Sequence, residues 1–458
     1  MPEFKTEPYI TDSHHHLSHQ DFSSDIEEVI GRAREAGVEI LIEGGGEVAL
    51  PYYLKNCLSD PYLRNMYFCA GLHPHDAMNF SDSILDKLRS LATHKRFAGV
   101  GECGLDYHYD NSPRDVQKRV FRKHIELASE LKKPLAIHAR KSYRDVFGIL
   151  EDEGVPEAGV LFHCFSGGDE DLARILEMDG YISIGGVLTF PNAVRTREVI
   201  SSVPRERLLI ETDAPYLAPQ NVRGKRNEPS YIRYVADELA NLWGLPVEDV
   251  YFITTYNARV FFNIDIDHGG DIVYKLGDRL YLNVTNRCTN RCSFCIRNFR
   301  DGLGGYYLKL RVEPTPDEVI KAIGIPGEYE EIVFCGYGEP LIRYDLVREV
   351  ARYIKERGGR VRVNTNGIAR LYHGVDAIEY VSNYVDVFSI SLNATNGEEY
   401  NRICRPLYKG AYKEVLKSIE RAKSLNKEVR VSFVESSGAD LTGAEDMAEA
   451  LGVSVRFR

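Results

Sequence analysis

Eight short apolar runs alternate with amphipathic segments through the first 265 residues of this 458-residue chain, and no other feature constrains the fold as strongly. The amphipathic segments include Phe22–Ala36, Arg114–Leu131 and Ser230–Leu242. This alternation has the size and order of a (β/α)8 barrel of the TIM type. A doubly wound open sheet is the alternative. The runs, each with the residue near which it begins, are PYITDSH (8), VEILIEGG (38), MYFCAGL (66), FAGVGE (97), PLAIHA (134), GVLFHC (159), GYISIGG (180) and RLLIETD (207).

Reactive side chains stand where these predicted strands end, and their placement favours the barrel. The carboxyl ends of barrel strands meet at one face, which is the face where barrel enzymes carry out catalysis. Two histidines that are two residues apart on an extended chain project to the same side, while His15 between them points away. The side chains at these ends are His14 and His16 (first run), Glu102 (fourth), His138 (fifth), His163 (sixth) and Asp213 (eighth).

Neutral imidazoles and carboxylates are common ligands for divalent metal ions. Six such groups that share one carboxylate would bind two metal ions close together. Paired ions of this kind stabilise both the attacking and the leaving oxygen in hydrolysis. The sequence therefore predicts a two-metal hydrolytic site.

Seven segments of the N-terminal half resemble the TatD family of metal-dependent hydrolases and deoxyribonucleases. They are TDSHHHL, GLHPHD, GVGECGLDYH, PLAIHAR, FHCFSG, IETDAPYL and RGKRNEPSYI. The resemblance implies that His14, His16 and Asp213 hold one divalent ion, which is Mg, Mn or Zn. It further implies that Glu102 bridges to a second ion held by His138 and His163. Asp213 matches the family's water-activating carboxylate, so Asp213 and Glu102 are the expected catalytic residues.

Five other residues of this half are weaker candidates. His73 and His75 either border the substrate cleft or pack a loop. Arg140, Arg223 and Arg226 either contact substrate phosphates or serve as structural counter-ions. The remaining histidines show no informative spacing and are expected on the surface or in packing: His15, His19, His94, His108, His124, His268 and His373.

In the second half, Cys288, Cys292 and Cys295 lie within eight residues, in the run TNRCTNRCSFCIR. A [4Fe–4S] cluster normally takes four thiolates, so three would leave one iron open. The alternatives are a zinc site that lacks its fourth ligand, or three unrelated thiols. Closed zinc sites usually show paired CxxC or CxxC/HxxxH spacing, which is not found here. The spacing thus favours a cluster.

This CxxxCxxC motif resembles the radical S-adenosylmethionine (radical SAM) family. The runs EIVFCGYGEPL, VRVNTNG and VFSISLN, which follow it, read as strands that end in small or polar residues. The resemblance implies that the open iron chelates SAM, that the reduced cluster cleaves SAM, and that a reductase, flavodoxin or ferredoxin donates the electron. For Asn366 and Ser391 the alternative is that polar residues close strands at turns. The implied SAM contacts are Gly336, Gly338, Glu339, Asn366 and Ser391.

About 190 residues follow the predicted join at Phe262–Gly277, enough for the partial (β/α)6 barrel that the resemblance implies. The predicted domains are 1–266 and 270–458. Cys335 and Cys404 are expected in the core. The whole chain looks like a TatD protein fused to the radical SAM protein associated with TatD proteins.

Charge and hydropathy limit the partners. Residues 1–264 contain 29 Lys+Arg against 40 Asp+Glu, a net charge of −11, and the remainder is neutral with 28 of each. The hydrolase half therefore lacks a basic surface for duplex nucleic acid, so a nucleic acid or nucleotide substrate would not be tightly bound. Since no run reaches 18 apolar residues, no membrane span is expected. An oxygen-sensitive cluster and six further cysteines fit a reducing cytoplasm: Cys57, Cys69, Cys103, Cys164, Cys335 and Cys404.

Two hypotheses about function follow. In the first, the chain hydrolyses phosphodiester bonds of DNA, RNA or a nucleotide-like substrate and modifies a nucleotide component by radical chemistry. In the second, it hydrolyses an amide or aminoacyl ester, and the radical half matures a peptide or protein. A scaffold without activity would leave both ligand sets idle.

Overall fold

The structure is a computed structural model that describes residues 8–45 and 65–458, so Cys57 lies outside the described residues. The chain divides into two compact units, Met1–Ile266 and Asp267–Arg458. This division falls inside the predicted join. Each unit is described by itself.

The first unit is a barrel of parallel strands, which confirms the predicted fold. Eight strands pair in chain order from β1 to β8. The segment after β8 returns to β1, because Asp213 N donates to His14 O (2.9 Å) and His16 N donates to Ala214 O (2.8 Å). The strands are β1 Ile10–His15, β2 Val38–Glu43, β3 Met66–Ala70, β4 Phe97–Asp106, β5 Leu135–Arg140, β6 Val160–Phe162, β7 Tyr181–Ile184 and β8 Leu208–Ile210.

Amphipathic helices alternate with these strands and bury one face against them. The third, α3, has the predicted bounds, Arg114–Leu131, and buries Val120, Phe121, Ile125 and Ala128. It ends at Lys132, which adopts a left-handed conformation with φ 50°. The helices of this unit are α1 Ile26–Glu35, α2 Asp82–Ala92, α3, α4 Tyr143–Glu153, α5 Asp169–Glu177, α6 Val194–Ser201, α7 Ile232–Trp243 and α8 Val247–Phe262.

The second unit is built on a seven-stranded sheet with the order β17-β16-β15-β14-β13-β10-β9. Six strands are parallel, as expected for a partial (β/α)6 barrel, and β9 adds an antiparallel edge. Strand β9 and the two-stranded hairpin β11–β12 were not predicted. The strands are β9 Val273–Leu276, β10 Arg279–Leu282, β11 Gly302–Leu303, β12 Tyr306–Tyr307, β13 Glu331–Phe334, β14 Val361–Thr365, β15 Val387–Ser391, β16 Glu428–Phe433 and β17 Ser454–Phe457.

Helices pack on one face of this sheet. Phe388 and Ile390 of β15 join the buried core, while Ser389 and Ser391 point to the opposite face. The helices are α9 Pro316–Ile323, α10 Tyr344–Glu356, α11 Ala369–His373, α12 Ala377–Val381, α13 Gly397–Cys404, α14 Ala411–Ser424 and α15 Ala444–Ala450. Across the described residues of both units, no helix combines the length and apolar character needed to cross a membrane.

Candidate functional site

The six predicted metal ligands lie together at the carboxyl ends of the barrel strands, around Glu102. One oxygen of Glu102, Oε1, is 2.7 Å from both His138 Nδ1 and His163 Nε2. The other, Oε2, is 3.5 Å from both His14 Nε2 and His16 Nε2. The two oxygens therefore face different predicted ligands, with His73 as a third imidazole near Oε1. This is the arrangement expected of a carboxylate that bridges two ions.

Asp213 joins this group through His16, whose Nε2 is 3.3 Å from Asp213 Oδ1. The Asp213 backbone has φ 55°, a left-handed conformation that is uncommon for residues with a side chain and clusters at functional sites. Gly44 at the end of β2 makes room for His14, since a Cβ there would come within 2.3 Å of the His14 Nε2 atom. The left-handed conformation of Asp213 and the absence of a side chain at Gly44 are thus the two backbone features that accommodate the predicted ligands.

Burial and mutual charge set the protonation of the site. Burial alone would raise the pKa of Glu102, but the charges of His163 and His73 outweigh it and hold that pKa well below its usual range. Burial also opposes protonation of His16, yet its hydrogen bond to Asp213 and the Glu102 charge raise its pKa to about 9. Both carboxylates are therefore ionised at neutral pH and present negative oxygens to the imidazoles.

The donor set fits divalent metal ions. Three overlapping groups have ligand atoms that all lie within 4.8 Å of one another: His14, His16 and Glu102; His14, His163 and Glu211; and His73, Glu102 and His138. In addition, His163 Nδ1 and Glu211 Oε1 are buried, 3.7 Å apart and without a hydrogen-bond partner. Unsatisfied buried polar atoms beside an imidazole–carboxylate cluster are what a site built for cations would contain.

Sequence reasoning missed Asp106, which supports this centre from β4. Its Oδ2 is 3.1 Å from His138 Nε2 and 3.0 Å from His75 Nε2, while its Oδ1 accepts the backbone N–H groups of His108 and Tyr109. Burial would raise the pKa of Asp106, but the hydrogen bonds from His138 and these N–H groups hold it below its usual range. With Nε2 turned to Asp106, His138 presents Nδ1 to Glu102. Asp106 and Glu102 are an even number of residues apart on one strand, so their side chains point to the same side. This spacing could have identified Asp106 from the sequence.

Glu211 was also missed. It lies two residues before Asp213, is fully buried, accepts a hydrogen bond from Ser183 Oγ and faces His163. Outer carboxylates of this kind commonly orient ligating histidines. The spacing of two residues from Asp213 would have placed it on the same side of the strand end.

The structure places the two weaker histidine candidates at or near the metal centre and pairs the three arginine candidates with other side chains. His73 Nε2 is 3.4 Å from Glu102 Oε1, so His73 lies at the centre, and His75 reaches it through Asp106. Arg140 lies over the Tyr109 ring, 4.8 Å from its centroid. Arg223 lies over the Phe190 ring, 4.1 Å from its centroid. Arg226 forms an ion pair with Asp25 (2.6 Å), which supports the structural counter-ion role rather than contact with substrate phosphates.

In the second unit, the three predicted cluster cysteines lie in the segment after β10. Backbone bonds from Arg291 N to Cys404 O (3.0 Å) and from Ser293 N to Ile403 O (2.9 Å) hold this segment against the end of α13. Burial raises the pKa of the Cys288 thiol to about 12, and the nearby Arg297 charge opposes that shift. The pKa of Cys292 is raised by its hydrogen bond with Cys404 and by burial. Cys404 is fully buried, which agrees with its predicted place in the core.

The glycines of the GYGE segment serve close packing of the chain on itself. A Cβ at Gly336 would meet Asn283 Oδ1 at 2.2 Å, and one at Gly338 would meet Arg287 O at 2.3 Å. Because Arg287 directly precedes Cys288, the GYGE loop lies against the start of the cysteine segment. The closest approach within the protein is to the Asn283 side chain at Gly336 and to the backbone at Gly338. The assignment of both glycines to SAM stays a prediction.

Glu339 is the buried acid of this loop. It accepts hydrogen bonds from Asn366 N (2.6 Å), Thr365 Oγ1 (2.7 Å) and Leu341 N (3.1 Å). Burial nevertheless raises its pKa to about 7. Asn366 links Glu339 to the cysteine segment, because its backbone N–H donates to Glu339 and its Nδ2 lies 3.8 Å from Cys288 Sγ. These contacts bring Glu339, Asn366 and Cys288 together.

Ser391 lies outside the group formed by Glu339, Asn366 and Cys288. It ends β15 opposite Ser432 of β16, and within the described residues it makes no hydrogen bond to Glu339, Asn366 or the cysteines. The cysteine segment, the GYGE loop and the end of β14 thus form one cysteine- and carboxylate-bearing edge, with Ser391 one strand away. The Arg297 charge lowers the pKa of Cys288 and Cys292 against the effect of burial, and so favours the thiolates that an iron–sulfur cluster binds.

Comparison with known proteins matches both units to families. Residues 11–263 match the family model for TatD-related DNases, and residues 282–436 match the model for the radical SAM superfamily. Both are families of enzymes.

Several curated relatives match the first unit over nearly their whole length. The uncharacterized metal-dependent hydrolase YabD of Bacillus subtilis is 41% identical over 255 residues, which cover 56% of this chain and 99% of YabD. The 3'-5' ssDNA/RNA exonuclease TatD of Pantoea ananatis is 35% identical over 253 residues, covering 54% and 97% of the two chains. The crystal structure of the TatD homologue YJJV of Escherichia coli K12 superposes with a TM-score of 0.52 at 28% identity, covering 56% and 98%. The chain therefore belongs to the TatD-related DNase family of metal-dependent hydrolases and carries a radical SAM domain after its TatD barrel.

Proposed function

We propose that the barrel is a two-metal phosphodiesterase that acts on single-stranded DNA or RNA, and that the second unit modifies a nucleotide or nucleic-acid component by radical SAM chemistry. The observation that carries the first part is Glu102, whose two oxygens face separate imidazole pairs. His14, His16 and Asp213 would hold one ion, and His138 and His163 would hold the other. When bound, two such ions lower the pKa of water and stabilise the charge on the phosphoryl group.

The protein's own residues would position and deprotonate the nucleophile. Asp213 is the more exposed of the two carboxylates, with 13% of its side chain accessible against 4% for Glu102. Without a bound ion, the hydrogen bond and charge of His16 overcome the effect of burial and lower the pKa of Asp213. His16 must be neutral to bind an ion, and the charge of that ion would then keep Asp213 ionised. We assign the proton of the attacking water to Asp213 Oδ2, because Oδ1 faces His16. Asp106 and Glu211 would orient His138 and His163.

A nucleic-acid substrate is supported by the DNase family model and by the exonuclease name of the Pantoea relative. The net charge of −11 on residues 1–264 argues against tight binding of duplex, so the substrate would be a single strand or a chain end. The competing substrate class, an amide or aminoacyl ester, suits the same ligands.

A direct screen separates these classes. The full chain, loaded in turn with Mg²⁺, Mn²⁺ or Zn²⁺, would be assayed on end-labelled single-stranded oligonucleotides, aminoacyl esters and peptides. We expect metal-dependent release of nucleotides and its loss in Glu102→Gln. Turnover of aminoacyl esters or peptides without cleavage of oligonucleotides would contradict the proposal.

In the second unit, Cys288, Cys292 and Cys295 would hold the [4Fe–4S] cluster. When bound and reduced by a flavodoxin, ferredoxin or reductase, the cluster supplies the electron that cleaves SAM. Glu339 would accept a hydrogen bond from the SAM amino group, and Asn366 would lie between Glu339 and Cys288.

The test is reconstitution with iron and sulfide followed by chemical reduction. Replacing any one of the three cysteines by Ala should abolish the cluster absorbance and the formation of 5′-deoxyadenosine. Cys335→Ala, which removes a thiol outside the triad, is the matched control and should keep both. Continued SAM cleavage in the triple variant would contradict the proposal.

A further inference from the structure

We propose that Tyr216 and Tyr109 form two base-stacking subsites, one beside each half of the metal centre, and that these subsites select single-stranded nucleic acid. The proposal rests on the phosphodiesterase function proposed above. It adds the residues that recognise the substrate and the reason why a single strand is preferred.

Tyr216 stands next to the His16 side of the centre. Its ring centroid is 6.2 Å from that of His16 and 5.8 Å from that of His19, with interplanar angles of 67° and 68°. Its backbone is held, since Tyr216 N donates to Asp213 O (2.9 Å) and Tyr216 O accepts from Asn227 Nδ2 (2.6 Å). Even so, the residue is 50% exposed. A fixed backbone with an exposed aromatic ring three residues beyond Asp213 is suited to contact a ligand bound at that carboxylate.

Tyr109 occupies the corresponding position on the His138 side. Its N–H donates to Asp106 Oδ1 (3.0 Å), the carboxylate that also contacts His138 and His75. Its ring centroid is 5.5 Å from that of His75, at an interplanar angle of 88°. Arg140 lies over one face of the ring at 4.8 Å, and Tyr109 is 55% exposed. The His108 ring also contacts Tyr109, at 4.7 Å and an interplanar angle of 72°. A base stacked on the face opposite Arg140 would leave this guanidinium beside the strand's phosphates.

A continuous series of rings connects the two tyrosines through the predicted ligands. The centroid separations from Tyr216 to Tyr109 are 6.2, 4.9, 4.0, 5.4, 6.3 and 5.5 Å, and the rings between them are His16, His14, His163, His138 and His75. Tyr216 therefore contacts His16, a ligand of one metal position, and Tyr109 is connected to His138 of the other position through His75 and Asp106. A phosphodiester at the centre would have one flanking nucleotide toward each ring.

Charge explains why stacking would matter here. Residues 1–264 carry a net charge of −11, and two of the arginines considered as phosphate contacts are engaged elsewhere, Arg226 with Asp25 and Arg223 over Phe190, which leaves Arg140 as the third candidate. Attraction to phosphates is therefore a weak source of affinity. Stacking on tyrosine depends little on salt or on base identity, and it requires unpaired bases, because bases in a duplex already stack on one another.

The experiment compares intact and abasic substrates. The full, metal-loaded chain would be assayed on single-stranded oligonucleotides, with or without the two bases that flank the scissile bond. On intact strands we expect Tyr216→Ala and Tyr109→Ala each to raise KM about 5- to 100-fold, the range of one stacked base. The Phe variants should match the wild type. On strands that lack both bases, the wild-type KM should rise to that of the Tyr109→Ala/Tyr216→Ala double variant on intact strands, and neither single Ala substitution should raise it further.

Tyr380→Ala is the matched control, since it removes a tyrosine of similar exposure (41%) from the second unit and should leave KM unchanged. Raising salt from about 50 to 200 mM should change the wild-type KM by less than tenfold, unlike proteins that rely on many phosphate contacts. Three results would overturn this inference alone: unchanged KM in both Ala variants on intact strands, equal losses in these variants on abasic strands, or a steep salt dependence. Failure of the wild type to cleave any oligonucleotide would overturn the proposed phosphodiesterase function, and this inference with it.

Discussion

Glu102 and Asp213 are both carboxylates of the centre, but their surroundings fit them for different work. Glu102 is almost fully buried, and its two oxygens are divided between two imidazole pairs. The Asp213 carboxylate contacts the His16 side chain and reaches solvent, and the residue holds an unusual backbone conformation. Glu102 is therefore placed to hold two ions together, and Asp213 to bind one ion and take up a proton.

Substitutions should separate these roles. Glu102→Ala should remove the shared ligand and reduce the bound metal from about two ions per chain to one or fewer. Asp213→Asn keeps an oxygen ligand but loses the proton acceptor, so turnover should fall by about 100- to 10,000-fold with little change in metal content. Metal analysis after gel filtration and the measured kcat check both. Equal loss of metal in the two variants would contradict this division of roles.

His124 gives a prediction about stability, independent of catalysis. It is fully buried, its Nδ1 contacts Val120 O (2.8 Å), and its Nε2 accepts the Leu72 N–H (3.0 Å). Burial lowers its pKa from 6.5 to about 4. Above pH 6.5 both the folded and unfolded chains carry neutral His124. As the pH falls from 6.5 toward 4, only the unfolded chain takes up the proton, so the barrel should lose about 2 kcal/mol of stability by pH 5.

Hydrogen exchange of the slowest amides in α3 measures the unfolding free energy of the barrel at each pH. His124→Gln can still accept the Leu72 N–H but does not titrate. The loss of stability between pH 7.5 and 5 should therefore be about 2 kcal/mol smaller in this variant than in the wild type. An equal loss in both proteins would place the pH dependence elsewhere.

At the scale of elements, the strand ends explain why so much of the barrel site could be predicted. A ligand that follows an apolar run must lie at the carboxyl edge of the barrel, so the positions of Glu102, His138 and His163 follow from sequence order alone. Asp106 and Glu211 were missed because they act through other side chains. Their partners are known only once β4 is packed beside β5, and β6 close to β8.

The second sheet shows the limits of periodicity more clearly. Strand β9 has four residues, and each strand of the β11–β12 hairpin has two, which is too short for alternation to be recognised. Pairing with β10 rather than local pattern defines β9. Likewise, the packing of Gly338 against Arg287 O depends on a neighbouring loop, so the sequence alone could only suggest that the glycine allows a close approach.

Strand β4 itself supports a prediction, because it carries both the bridging acid and the residue that orients His138. Asp106→Asn places an amide beside His138 Nε2 and His75 Nε2 and removes a charge that fixes the His138 ring. Metal affinity should fall about 10- to 100-fold. Asp110→Asn is the matched control four residues later, since Asp110 forms an exposed ion pair with Arg114. Competition with a chromogenic chelator gives both affinities, and similar values for the two variants would rule out this role for Asp106.

At the scale of the whole molecule, the two ligand sets occupy separate stretches of chain and separate compact units. All six predicted metal ligands lie before Ile266, and all the predicted cluster and SAM residues lie after Asp267. Each predicted ligand set lies within one unit. The two activities should therefore survive separation, and any coupling between them would come from a shared substrate at raised local concentration.

The point of cleavage matters for this test. Residues just after Ile266 belong to the second unit: His268 Nε2 is 3.0 Å from Glu318 Oε2, and Arg311 N donates to His268 O (2.8 Å). A fragment that starts at the predicted boundary, residue 270, would lose both contacts. Fragment 267–458 should therefore be more stable than fragment 270–458, which thermal unfolding of the two reconstituted fragments would show.

Fragment 1–266 should keep metal-dependent hydrolysis, and fragment 267–458 should keep SAM cleavage. Loss of both activities in fragments that remain folded would mean that the two units complete each other's sites.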